Sequence, residues 1–185
     1  CAFREDMIAQ RASENSLTIA YVNTVGGQDE LVFDGGSIIC DPAGGLVARG
    51  PAFQESLLIT DLSFPSQAKE NPANAGAGVG TPKTMTVSEA GAEIKSSLEA
   101  QTILDAMNGP EEIYRALVMG TGDYLRKSGF TKALIGLSGG VDSALTATVA
   151  VDALGKENVV GITMPSRYSS EGSIRDSKKL ADNLG

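Results

Sequence analysis

Residues Gly136-Leu-Ser-Gly-Gly-Val-Asp-Ser143 follow an apolar run, Lys132-Ala-Leu-Ile-Gly-Leu137, and precede a segment whose apolar positions are Leu145, Val149 and Leu154. The run reads as a short buried strand, the paired glycines break it, and Asp142 and Ser143 open a helix. Strand, glycine turn and helix N-terminus together make an anion site. The first backbone N–H groups of a helix have no partner within it, and the helix dipole adds partial positive charge at the same end. Gly139 and Gly140 let anionic oxygens approach the backbone closely, Ser138 and Ser143 add hydroxyl donors, and Asp142 adds a carboxylate suited to magnesium.

A Walker loop would need a lysine after the glycines, and none is present. The pattern Ser-Gly-Gly-x-Asp-Ser instead resembles the PP-loop of ATP pyrophosphatases, which split ATP between the α and β phosphates. An ordinary glycine-rich turn is the plain alternative; six matched positions in a strand–turn–helix setting favour ATP.

Composition narrows the rest. A chain of 185 residues holds one domain or two small ones, and its formal charge of -8 argues against a nucleic-acid or anionic-membrane surface. No apolar run is long enough to cross a membrane and no signal-peptide pattern is visible, so a cytoplasmic protein is expected. Histidine is absent, which removes Ser-His-Asp and Cys-His catalysis within this chain. Cys1 and Cys40 lack metal or redox spacing and read as buried or tolerated thiols. The start at Cys1 and the end at Gly185 both read as cut, so an internal fragment is expected.

Along the chain, Phe3, Met7, Ile8 and Ala12 have helical spacing with one face inward, and Leu17 to Asn23 reads as a buried strand. Val25 to Leu31 reads as a polar glycine loop. Ser37-Ile-Ile-Cys40 and Leu46-Val-Ala-Arg49 flank Asp41-Pro-Ala-Gly-Gly45, a hairpin signal, and residues 56–62 supply another strand. From Pro65 to Gly109 the chain is Gly-, Ala- and Pro-rich, a solvated connector with a weak helix over residues 88–107. Pro110, Glu111 and Glu112, then Arg126, Lys127 and Gly129, are start and stop signals for a helix with Ile113, Ala116, Leu117, Thr121, Tyr124 and Leu125 on one face. After the glycine turn and its helix come a strand, Asn158 to Met164, and a helix, Ile174 to Leu184. This alternation implies a parallel unit with ligands at the carboxyl ends of its strands. The loop Met164-Pro-Ser-Arg-Tyr-Ser-Ser-Glu171 falls there. Ser169 or Ser170 is placed to cap the helix. Arg167 is a phosphate contact or a solvated arginine. Met164 is a wall of the adenine pocket or a core methionine.

Glu111 to Gly185 resembles the synthetase domain of glutamine-dependent NAD synthetase, carried by Gly136-Leu-Ser-Gly-Gly-Val-Asp-Ser-Ala-Leu145 and Met164-Pro-Ser-Arg-Tyr-Ser-Ser-Glu-Gly172. The second motif is the more selective. Tyr21-Val-Asn23 and Val25-Gly-Gly-Gln-Asp-Glu-Leu-Val-Phe-Asp-Gly-Gly-Ser37 resemble the tail of that family's nitrilase-like glutaminase. The fold this implies is α/β: the C-terminal part of a nitrilase-like α/β sandwich over residues 1–64, a linker over 65–109, and the first βαβα of a Rossmann-like PP-loop domain over 110–185. The activity implied is ligation. ATP and Mg2+ adenylate the nicotinate carboxylate of deamido-NAD, and glutamine-derived ammonia completes NAD. The resemblance assigns Gly136, Leu137, Ser138, Gly139, Gly140, Val141, Asp142, Ser143, Met164 and Arg167 to ATP, with Asp142 also to magnesium. It implies small-molecule substrates, a homo-oligomer in the full-length protein, and no nucleic-acid or membrane partner. The glutaminase Cys, Lys and Glu are expected upstream of residue 1, and Cys1 is not that nucleophile. No catalytic residue is therefore assigned here, and the fragment is expected to be inactive alone. Asparagine synthetase, with its N-terminal Cys and PP-loop, is the enzymatic rival; it opens Cys-Gly, whereas Ala2 stands here. A non-catalytic nucleotide-binding remnant is the other alternative.

Overall fold

The computed structural model describes residues 2–63, 97–98, 103–107, 109–165 and 170–185. The chain divides into two compact units, residues 1–58 with 102–185, and residues 59–101. In the smaller unit the Asp61 carboxylate accepts hydrogen bonds from the Ser97 hydroxyl (3.1 Å) and the Leu98 N–H (2.7 Å).

The larger unit opens with α1 (Ala2–Asn15), β1 (Ile19–Tyr21), β2 (Val25–Gln28), β3 (Leu31–Asp34), β4 (Ile38–Cys40) and β5 (Leu46–Arg49). β1, β4 and β5 form an antiparallel sheet in the order β1-β4-β5, and β2 and β3 pair as a hairpin. Ile8 and Ala12 of α1 pack on Ile38 and Cys40 of β4 to form the core of this layer. Phe3 and Met7, expected on the same inward face, are 82% and 41% exposed, because the buried stripe is the adjacent i, i+4 pair. Two ion pairs tie α1 to the strands: Arg4 to Asp34 at 2.9 Å and Arg49 to Glu5 at 2.6 Å.

Two sequence expectations fail in this layer. Val25 to Leu31 is not a loop: its first four residues are β2. Residues 56–62 form no strand; Leu57 and Ile59 are exposed, and among the described residues no strand pairs with this apolar segment to give it a ladder. The weak helix expected over residues 88–107 lies mostly outside the described residues, and residues 97–98 and 103–107 are not helical.

The second part comprises α2 (Gly109–Lys127), β6 (Ala133–Gly136), α3 (Val141–Leu154), a 3-10 turn (Lys156–Asn158), β7 (Val159–Ile162) and α4 (Glu171–Leu184). β6 and β7 pair in parallel, Ala133 opposite Val159, and the Leu137 N–H extends the ladder to the Ile162 carbonyl at 2.8 Å. α2 has Pro110, Glu111 and Glu112 in its first turn, and Gly129, two residues past its end, has a φ of +81° that needs glycine. Its apolar face is not its packed face. Ile113, Leu117 and Tyr124 are exposed, while Gly120 and Asp123 meet β2 and Gly122 is buried. A Cβ on Gly27 would lie 3.0 Å from the Gly120 Cα, so strand and helix cross where neither has a side chain. Asp123 fixes the crossing by accepting the Gly27 N–H at 2.7 Å, and Lys127 donates to the Gly27 carbonyl. The Gly27 N–H, then Arg126, hold the Asp123 carboxyl below the usual aspartate range.

Candidate nucleotide site

The carboxyl ends of β6 and β7 face the same side because the strands are parallel, and the Leu137–Gly140 turn and the start of the β7–α4 connection meet there. The turn is held by its own serines. The Ser143 hydroxyl donates to the Gly140 carbonyl (3.0 Å), accepts the Ser138 N–H (3.3 Å) and lies 3.1 Å from the Ser138 hydroxyl. The Ser138 hydroxyl also accepts the Gly140 N–H at 3.3 Å. Gly140 occupies the N-cap of α3 with φ -90° and ψ 163° and offers no side-chain cap, so the first-turn N–H groups keep no side-chain acceptor at the cap.

Gly139 is required on two grounds. Its φ is +81°, and a Cβ there would stand 2.5 Å from both the Cα and the carbonyl oxygen of Ser173 in α4. The turn therefore lies directly on the first turn of α4. Ser170 caps that helix, its hydroxyl accepting the Ser173 N–H at 3.1 Å, as one of the two serines was expected to do.

The structure brings Gly136 to Ser143 into one loop and sets Met164 beside it. The Met164 Cε lies 3.7 Å from a Cβ position on Gly136, and the side chain is 78% exposed in this chain. Arg167 lies outside the described residues. Asp142 is exposed in the first turn of α3. Its carboxylate has no partner among the described residues, which contain no group of three acidic, histidine or cysteine side chains. That donor set suits an ion that takes one or two carboxylates and fills its octahedron with phosphate oxygens and water, as magnesium does.

Sequence reading missed Ser177, which lines the clefts on either side of the loop, and Ser173, which lines one of them. Their only sequence signal is i, i+4 spacing on α4, and nothing in that spacing reports the approach of the turn. No helix among the described residues is long and apolar enough to cross a membrane.

The NAD synthase family model matches residues 113–185. The chain is 43% identical over its whole length to the glutamine-dependent NAD(+) synthetase of Aquifex aeolicus (strain VF5), covering 33% of that protein. It is 41% identical over 98% of its length to that of Thermotoga maritima, covering 32%. Its α/β fold matches a solved glutamine-dependent NAD+ synthetase from Acinetobacter baumannii, determined with ADP. The TM-score is 0.72 at 35% identity, over 100% of this chain and 30% of that one. The chain thus spans about a third of the length of the curated relatives it matches.

Proposed function

We propose that this chain, a segment of the glutamine-dependent NAD(+) synthetase family, supplies the ATP-phosphate half-site with which deamido-NAD is activated and amidated to NAD. One observation carries the reading: a glycine turn at the N-terminus of α3, braced by Ser138 and Ser143 and with no side chain over the cap. The ADP in the Acinetobacter protein's structure supports an adenine nucleotide as the ligand.

The chemistry asks for such a site. A carboxylate resists attack by ammonia until one oxygen becomes a good leaving group. Transfer of AMP to it provides that group and expels pyrophosphate. Negative charge then grows on the departing phosphates, where the N–H groups of Val141 to Ser143 and the serine hydroxyls stabilise it. Ammonia next displaces AMP from the acyl carbon. Gly136 to Ser143 bind the phosphates in this reading and Met164 flanks the adenine; Arg167, outside the described residues, is assigned to ATP by sequence alone. Asp142 would hold magnesium, which when bound neutralises phosphate charge.

Finer points belong to the same proposal. Residues 1–64 form the end of a nitrilase-like glutaminase, 65–109 a connector, and 110–185 the start of a Rossmann-like PP-loop domain. The full-length protein is a cytoplasmic homo-oligomer. The antiparallel β1-β4-β5 sheet and the parallel β6–β7 pair, being separate sheets, support two architectures in one chain.

Calorimetric titration of ATP with magnesium into the chain tests the reading. Ser143→Ala is expected to weaken ATP about tenfold, the worth of one charge-assisted hydrogen bond. Asp142→Asn is expected to abolish the gain in affinity from magnesium. ATP binding that neither substitution changes would end the proposal. Pyrophosphate release dependent on deamido-NAD and ammonium would show turnover in this chain by itself.

A further inference from the structure

Among the described residues Ser177 is the one buried polar side chain, 2% exposed, and its hydroxyl is the one buried side-chain polar atom without a hydrogen-bond partner. A hydroxyl removed from water with no partner costs free energy, so an orphan of this kind calls for a physical reason. Its position suggests one. Ser177 lies one turn beyond Ser173, the residue on which Gly139 rests, and it lines both clefts flanking the loop. One cleft also contains Gly139, Gly140 and Ser143; the other contains Ser138 and Met164. The residue with the unsatisfied hydroxyl therefore lines the clefts beside the turn at whose end α3 starts without a side-chain cap.

We propose that Ser177 is a positioning residue for the nucleotide. When phosphate draws the N–H groups of the Ser138–Ser143 loop onto itself, the reoriented loop backbone presents an acceptor to the Ser177 hydroxyl. The new hydrogen bond relieves the buried group and locks the bound form of the loop. No covalent step is involved. The inference rests on the proposed nucleotide site and adds a residue of α4 that does not itself touch the phosphate.

The two states of the site give Ser177→Ala effects of opposite sign. Without ligand the substitution deletes an unsatisfied buried hydroxyl and raises the thermal midpoint of the full chain by about 2–4 °C. With ATP and magnesium it removes the binding-linked hydrogen bond and lowers affinity about 5- to 10-fold. Hydrogen exchange supplies a readout that plain packing would not move: at saturation, nucleotide protects the amides of residues 138–143 in the unsubstituted chain and protects them less in the variant. A lower midpoint, with or without weaker binding, would mark ordinary helix packing and overturn the proposal. Unchanged affinity in the variant, where the unsubstituted chain binds ATP, would overturn this inference alone. Absence of ATP binding to the unsubstituted chain would overturn the nucleotide site and this inference with it.

Discussion

The layer built by α1 and β1-β4-β5 and the segment from β6 to α4 handle polar groups in opposite ways. In the first, Arg4 meets Asp34, Arg49 meets Glu5, and Ile8, Ala12, Ile38 and Cys40 fill the core. In the second, among the described residues, the helix N-terminus at Gly140 has no side-chain cap and the Ser177 hydroxyl has no partner. Satisfied polar groups make a scaffold; unsatisfied ones, gathered at one turn, make a place for a ligand. The contrast separates what holds the chain together from what the chain can hold.

Gly139→Ala tests the second region most severely. A methyl group set 2.5 Å from the Ser173 backbone, at a φ of +81°, forces the loop off α4. Urea denaturation should show a loss of about 2–4 kcal/mol, from backbone strain and overpacking together, with ATP affinity falling at least tenfold. Full affinity in this variant would break the link between turn geometry and binding. Ile38→Ala is the counterpart in the scaffold. Ile38 is 2% exposed, so a comparable loss of about 2–4 kcal/mol is expected from the cavity and the lost burial, with ATP affinity unchanged.

Asp123→Ala acts where α2 meets the β2–β3 hairpin and should cost about 1–2 kcal/mol at neutral pH. Because the folded state holds this carboxyl below its ordinary value, its contribution is fully present above the unfolded aspartate pKa. It fades as pH falls through the lower folded value, and stability measured across that acidic window should be flatter in the variant. Tyr114→Phe is the mildest change. The Tyr114 hydroxyl donates to Asp152 at 2.5 Å, which pushes its pKa up to about 12. Stability from this bond is present below pH ~10 and lost as pH rises through the folded value. The variant should lie within about 0.5 kcal/mol of the parent at neutral pH and lack that alkaline loss.

The parallel unit was readable because its signals agree: an apolar strand, paired glycines, a helix, then another strand and a capped helix. β2 was unreadable for a physical reason. Val25-Gly-Gly-Gln28 has the composition of a loop, yet its glycines serve close approach to Gly120 of α2, a contact between segments far apart in sequence. The exposed apolar face of α2 misleads in the reverse sense, since small residues and Asp123 make its contacts. Residues 56–62 have strand-like composition and, among the described residues, no strand paired with them. At the candidate site, the strand, glycine turn and helix could be read from local pattern. The placement of Ser173 and Ser177 beside it could not, because that depends on where α4 lies and no i, i+4 spacing encodes it.

The hydrogen bond between Gly27 and Asp123 joins residues 96 positions apart. Closing so long a segment carries an entropic cost that local turns and helices do not, so contacts of this reach form after local structure during folding. A bond made late leaves the folding rate largely untouched and is felt in the rate of opening. Asp123→Ala is therefore expected to raise the unfolding rate more than it slows folding, as stopped-flow measurements of both rates would show.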